Sequence, residues 1–355
     1  MKYFSLILVV IFFLLAAPLW ASRARVITMG SGDPTGIVVD PNGNGGSFYY
    51  DTAYSVFINP TYINDNSDQL IFEKSNNPKT TAQGAFIKSV GPVKTGLFLG
   101  RTGDSRFYDR QNIVRPIEII AGSKVSNFGG ALSLSYFENV LNKKRDRSLD
   151  SKAGVSLKLN DQISVDPYFS WKLMGQEDST PDKYAHRSNS FGFKANYEKF
   201  RWFSAYRIYY FKWNSGRDKQ QIESYGSAIS HQASPTPKTQ IFYGTGYWRM
   251  TSAKRTIVPI FLAAEHTVLS WLTVRGGLDY RLWDVQKGQS INDNTTARIG
   301  LTAFADNFAF DWVIGSNTDQ SGAAGAANET LSQVDTQSFG FDGAFFTAAA
   351  LRITF

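Results

Sequence analysis

The chain has 355 residues, 37 Lys and Arg against 30 Asp and Glu for a formal net charge of +7, 15% aromatic residues, and no cysteine. The absence of thiols excludes disulfide scaffolds, thiolate metal sites and cysteine nucleophiles. The basic balance gives little reason to expect nucleic acid as a partner, because Lys and Arg are spread over alternating segments rather than gathered on one stripe.

Met1-Lys2-Tyr3 is a short basic start, and Phe4 to Leu15 is an apolar run too short for a comfortable membrane span. Small residues follow it. The pattern predicts a signal peptide over 1–21, cut after Ala21 or Ala24, and no second stretch of this kind follows.

Residues 22–66 do not alternate. Ser31-Gly32-Asp33-Pro34-Thr35-Gly36 and Asp40-Pro41-Asn42-Gly43-Asn44-Gly45-Gly46 are turn chemistry, and Tyr50 to Asn59 suits a short helix stopped before Pro60. Asp40 to Gly45, with Asp51 in the last place, also fits a calcium loop. Only two of its ligands are carboxylates, Ser47 stands where an aliphatic residue is usual, and no helix precedes it. A Gly/Asn turn is the plainer reading, and no metal or cofactor is implied.

The arrangement Ala24-Arg25, Met29-Gly30, Asp51-Thr52-Ala53 and Phe57-Ile58-Asn59-Pro60 resembles the N-terminal segment of the long-chain fatty acid transporter superfamily of barrels. Thr61 replaces the Ala of that pattern, and one of two paired acids is missing. The resemblance implies a small plug ahead of the first strand and an uptake role for hydrophobic compounds.

From residue 67 to 355 the chain alternates. Strands are predicted near 69–74, 81–90, 93–102, 113–125, 128–138, 150–160, 163–174, 187–198, 201–213, 222–232, 239–250, 256–267, 271–284, 294–305, 308–315 and 345–355. Short turns such as Gly91-Pro92, Ser126-Asn127 and Asp306-Asn307 alternate with longer connections, among them 103–112, 139–149 and 316–344. Leu272, Val274, Gly276, Leu278, Tyr280 and Leu282 alternate with Thr273, Arg275, Gly277, Asp279 and Arg281. A Lys or Arg at the bilayer midplane costs about 2–4 kcal/mol on a lipid face, so the polar row, with Lys158 and Lys172 from other strands, must line the inside. A soluble sandwich would alternate too, but it would not need so many strands with aromatic ends.

Tyr168, Trp171, Tyr197, Trp202, Tyr209, Tyr210, Trp213, Tyr247, Trp248, Trp271, Tyr280, Trp283 and Trp312 are expected to form headgroup girdles. His186, His231 and His266 are isolated, with no catalytic or metal spacing. No enzyme activity is expected. Lys143-Lys144-Arg145-Asp146-Arg147 reads as an external basic loop that meets anionic lipopolysaccharide. Arg275, Arg281, Arg298 and Arg352 fall on the polar rows of neighbouring strands, with Asp279 and Asp311 as partial partners. They give a weak anion preference if hydrated, and none if paired.

The last strand ends the case. Phe355, Ile353, Leu351, Ala349, Thr347 and Phe345 share one nearly apolar face, and the final Phe355 resembles the closing strand and assembly signal of bacterial outer-membrane porin-like barrels. The expectation is an all-β, transmembrane, antiparallel up-and-down barrel of about 16 strands (14 if the first segment belongs to the plug) in the bacterial outer membrane. Its expected work is passive diffusion of small hydrophilic solutes or ions. A plugged carrier of hydrophobic compounds and a non-conducting structural or adhesive barrel are the alternatives. The partners implied are outer-membrane lipid, lipopolysaccharide, the barrel assembly machinery and small solutes, with a homotrimer as the assembly to test for.

Overall fold

A computed structural model describes residues 23–30, 46–75, 83–100, 117–141, 144–177, 184–213, 220–251, 254–287, 289–290, 295–316 and 345–355. The expected signal peptide, the loops 103–112 and 317–344, and Asp40 to Gly45 lie outside them.

A helix α1 (Arg23–Met29) and two 3-10 turns (Ala53–Phe57 and Pro60–Asp65) precede the sheet. The short helix expected before Pro60 is therefore two turns, and the proline starts the second instead of ending the first. The missing N–H of Pro60 costs nothing at a first helical position. Asn59 caps that turn by accepting from the Thr61 amide, and Thr52 caps the first by accepting from the Tyr54 amide.

The strands follow in chain order: β1 (Gln69–Ser75), β2 (Gln83–Val90), β3 (Val93–Leu99), β4 (Ile117–Val125), β5 (Phe128–Leu141), β6 (Lys144–Lys158), β7 (Ile163–Glu177), β8 (Tyr184–Tyr197) and β9 (Phe200–Trp213). Then come β10 (Gln220–Thr236), β11 (Thr239–Met250), β12 (Arg255–Leu269), β13 (Leu272–Gln286), β14 (Gln289–Ser290), β15 (Thr295–Ala305), β16 (Phe308–Ser316) and β17 (Phe345–Thr354). Each pairs antiparallel with its neighbours, and β1 closes on β17 from Gln69 opposite Thr354 to Ser75 opposite Ala348. The two-residue β14 only lengthens the β13 hairpin, so 16 strands make the wall. Closure leaves no open edge, which a lipid-embedded sheet requires.

The turns at 91–92, 126–127, 198–199, 237–238, 270–271 and 306–307 lie at one end, together with Gln69 and Phe355. Ser126 and Asp306 adopt the left-handed conformation there, with φ of 53° and 50°. The expected basic loop is corrected: Lys144 to Arg147 belong to β6 and pair with β5, Arg145 opposite Val140 and Asp146 opposite Asn139. Strand alternation continues through the charges, so Asp146 turns inward and is buried.

Alternation sorts the aromatics. Trp202, Trp271, Trp283 and Tyr197 are at least half exposed on the outer face. Tyr168, Tyr209 and Trp248 were expected in the girdle but are buried inside the barrel, because adjacent residues such as Tyr247 and Trp248 must point to opposite faces. A bulge adds a second departure. Val258 opposes Trp283 but Pro259 opposes Arg281, so the outward residues Leu282 and Trp283 are consecutive and Asp284 turns inward.

Candidate functional site

Residues 23–30 and 46–66 lie inside the barrel and are tied to its wall by side chains of both. α1 packs against β12, β13, β15, β16 and β17. It approaches so closely that a Cβ on Gly277 would strike the Thr28 carbonyl and Met29, and one on Gly300 would strike the Thr28 hydroxyl. Glycine at these inward positions lets backbone meet backbone. Arg25 reaches the wall with Nη2 at 2.7 Å and Nε at 3.1 Å from the Glu265 carboxylate, and its Nη1 donates to the Asp51 carbonyl at 2.7 Å.

Further along, Lys194 and Arg201 each donate to Asp51 at 2.9 Å. Enclosure works against ionisation of Asp51, but the two cations outweigh it and hold the carboxyl well below its ordinary value. Its side-chain partners among the described residues are therefore ammonium and guanidinium groups. The Tyr54 hydroxyl donates to Glu73 at 2.5 Å, and the Lys152 ammonium donates to the Phe57 carbonyl. Asn59 donates to the carbonyls of Val155, Asp166 and Pro167 at 3.2–3.3 Å. The Tyr62 hydroxyl donates to Asp166 at 2.9 Å, Asn64 to the Ser123 carbonyl at 3.2 Å, and Lys124 to Asp65 at 2.7 Å.

Between these ties the segment buries apolar groups against the lumen face. Phe48 stacks on Phe203 with centroids 5.0 Å apart and meets Phe261 edge-on at 5.6 Å, and Trp248 and Phe242 complete the patch. A second patch joins Val56, Phe57 and Ile63 to Ile71, Ile87, Phe98 and Ile120. Tyr49 and Tyr50 donate from the first patch to the carbonyls of Met29 and Gly30, and burial raises both phenols above their ordinary value. Beneath this layer a polar cavity of about 280 Å³ opens at the short-turn end, lined by Asp51, Tyr62, Asp166, Lys194, Asn196 and Glu198 among others.

The residues expected to line a pore face inward, but most are engaged by carboxylates or cations. Arg275 holds Glu265 at 3.0 Å and Asp311 at 3.4 Å, Arg281 holds Asp284 at 3.3 Å, and Arg298 holds Asp279 at 2.7 Å. Lys158 pairs with Asp161 at 2.7 Å on the rim, and Lys172 lies 3.7 Å from Asp150. Arg352 is buried, and its Nε has no hydrogen-bond partner among the described residues. Phe355 packs at the seam, 6.0 Å from the Phe86 ring and under the Lys88 ammonium.

Sequence reasoning missed Glu265, Lys194, Arg201 and the Arg255–Asp284 pair, whose Nη2 and Oδ2 lie 2.6 Å apart inside the wall. Glu265 was visible as a charge on the inward row of its strand. Asp284 was hidden by the bulge, since a strict two-residue count places it on the lipid face.

No family model matches the sequence, and no curated protein matches it. Among solved structures, CdiB from Acinetobacter baumannii superposes with a TM-score of 0.52 at 11% identity, over 81% of this chain and 59% of that one. This chain therefore spans 59% of CdiB's length. The Ralstonia pickettii toluene transporter TbuX gives 0.45 at 9% identity over 93% and 99%, and the CymD monoaromatic hydrocarbon channel gives 0.43 at 9% over 93% and 98%. What the chain shares with such outer-membrane proteins is the fold, a closed antiparallel barrel.

Proposed function

We propose that the chain is an outer-membrane uptake channel for small apolar compounds, closed at rest by its own N-terminal segment. The observation that carries this reading is the apolar lumen wall beneath the plug. A wall serving only water and ions has no use for Phe203, Phe242, Trp248 and Phe261 facing inward, whereas a shifted plug would turn that patch into a path favouring apolar solutes. The plug is fastened by ion pairs and single hydrogen bonds as well as by packing. Such polar ties exchange with water at small net cost, so they suit a segment that moves. No covalent chemistry is assigned to it.

A second reading keeps the passage of small hydrophilic solutes or ions, with a weak anion preference, in the porin-like manner. The polar cavity of about 280 Å³ at the short-turn end supports it. One experiment separates the two readings. In planar bilayers the wild-type protein should show little steady conductance, and deleting 22–66 should raise it while the barrel stays folded. In proteoliposomes wild type should speed entry of an apolar aromatic probe but not of a sugar. A large steady conductance with sugar entry in wild type would overturn the plugged reading in favour of the porin-like one. No passage of either probe would overturn both and leave a structural barrel.

A further inference from the structure

One ring of the plug is held by three rings of the wall. Phe48 stacks on Phe203 (β9) with centroids 5.0 Å apart and 17° between the planes, meets Phe261 (β12) edge-on at 5.6 Å and 89°, and lies 6.0 Å from Trp248 (β11). Aromatic rings favour stacked and edge-to-face contacts at these separations. Phe48 belongs to neither helix nor strand, so the wall fixes its place. The wall is recessed here to receive flat groups. Gly226 on β10 and Gly244 and Gly246 on β11 face inward, and the rings lie on them. A Cβ at Gly226 would strike the six-membered ring of Trp248, and one at Gly244 would come within 2.6 Å of the Phe261 ring. Glycine inside a strand marks a close approach, and here what approaches is a ring face.

The indole adds a second, independent observation. Trp248 is 0% exposed, and its Nε1 has no hydrogen-bond partner among the described residues. That atom lies over Gly246, on the edge of the indole away from Gly226. A buried indole N–H ordinarily finds an acceptor, and one left unpaired is costly. The phenylalanine rings around it carry no acceptor. Phe48 thus fills the shape of the recess and leaves its donor unused.

We infer that Phe203, Trp248 and Phe261 form a binding subsite for a single aromatic ring that carries a hydrogen-bond acceptor, and that Phe48 occupies this subsite while the plug is seated. The ligand ring takes the place of Phe48 against Phe203 and Phe261, and its oxygen accepts from Trp248 Nε1. Most of such a site is apolar, and one placed donor sets the preference. Ring and plug compete for one space, so a bound ligand unseats the segment around Phe48. The inference rests on the uptake reading above and narrows it from apolar compounds at large to aromatics with a hydroxyl or carbonyl.

The test uses the full chain in detergent micelles, titrated against matched empty micelles. The probes are benzyl alcohol, ethylbenzene (the ring without the oxygen) and cyclohexylmethanol (the oxygen without the ring). Benzyl alcohol should bind Phe48→Ala more tightly than wild type, and more tightly than cyclohexylmethanol binds the same variant. It should also shift one indole N–H resonance saturably, the one that Trp248→Phe removes, while ethylbenzene leaves that resonance without a downfield shift. Adding Trp248→Phe to Phe48→Ala should weaken benzyl alcohol about fivefold or more and leave ethylbenzene nearly unchanged. Equal weakening of both probes, or a Trp248 resonance that benzyl alcohol does not move, overturns the subsite. Equal affinity of wild type and Phe48→Ala overturns the competition with the plug. Should Phe48→Ala fail to assemble, wild type at higher benzyl alcohol concentration reads the same resonance, and no shift there overturns the proposal. Entry of apolar probes into proteoliposomes judges the uptake reading separately. Entry with an unmoved Trp248 resonance overturns the subsite alone, and a shifted resonance without entry overturns uptake and upholds the subsite.

Discussion

Asp51 is the residue on which the plug depends most for its charge balance, because among the described residues it alone pairs with both Lys194 and Arg201. Its folded pKa lies below the ordinary 3.8, so its contribution is complete above the unfolded value and is lost as pH falls towards the folded one. Conductance of wild type should therefore be low at neutral pH and rise only as the solution is taken below about pH 4, the ordinary carboxylate range. Asp51→Asn leaves two cations facing each other at every pH. The loss should be about 1–2 kcal/mol, at the low end for a broken buried pair because Asp51 is partly open. Conductance of this variant should be raised already at neutral pH and change little on acidification. Overlapping pH profiles for the two proteins would remove Asp51 from the closing contacts.

At the scale of elements, two features of the wall make separate predictions. Gly277 on β13 admits the backbone of α1, whereas a Cβ at the adjacent Gly276 has only the Arg298 carbonyl near it, at 3.8 Å. Gly277→Val should lift α1 from the wall and raise conductance without lowering barrel yield, and Gly276→Ala should do neither. Equal behaviour of the two variants would show that α1 is not seated by this contact. Pro259 is the second feature. The β11–β12 ladder runs to Thr245 opposite Ile260 and resumes at Trp248 opposite Ile257, and between them Pro259 has no N–H to give. The Thr245 hydroxyl donates to the Pro259 carbonyl at 2.8 Å, which satisfies one group of the gap. Pro259→Val should restore a donor and slow amide exchange at Gly246 and Tyr247, with a stability change of about 1 kcal/mol or less. Unchanged exchange would place the break elsewhere.

These features also mark what the sequence made legible. A two-residue period exposed every wall strand, because lipid outside and polar contacts inside act on alternate residues. It could not expose the plug's position, since Phe48, Tyr49 and Tyr50 follow no period and are fixed only by the wall they meet. Inward glycines such as Gly277 and Gly300 were the one local hint, and a hint of that kind acquires meaning only once another backbone is known to pass.

At the scale of the whole molecule, closure and occupancy are separate achievements of one chain. The seam between β1 and β17 is extended by the Phe355 amide, which donates to the Asp68 carbonyl at 3.3 Å, and by the stack on Phe86. An aromatic pair is worth about 0.5–1.5 kcal/mol, small beside a ladder that runs round the barrel. Deleting Phe355 should thus lower the amount of protein reaching the outer membrane several-fold while shifting the Tm of the finished barrel by only a few degrees. Normal membrane levels of the shortened protein would dismiss the assembly role. Occupancy has a mechanical side. The plug's fastenings follow chain order, Arg25 to Glu265, Asp51 to Lys194 and Arg201, Tyr54 to Glu73, Asn59 to β6 and β7, then Tyr62 to Asp166. Tension applied at the α1 end loads them one after another, as in peeling tape, so the rupture force is that of the strongest single fastening. The same tension spread across the barrel axis would load them in parallel, and a plug that yields readily to a pull on one end would then resist the even pressure of solvent.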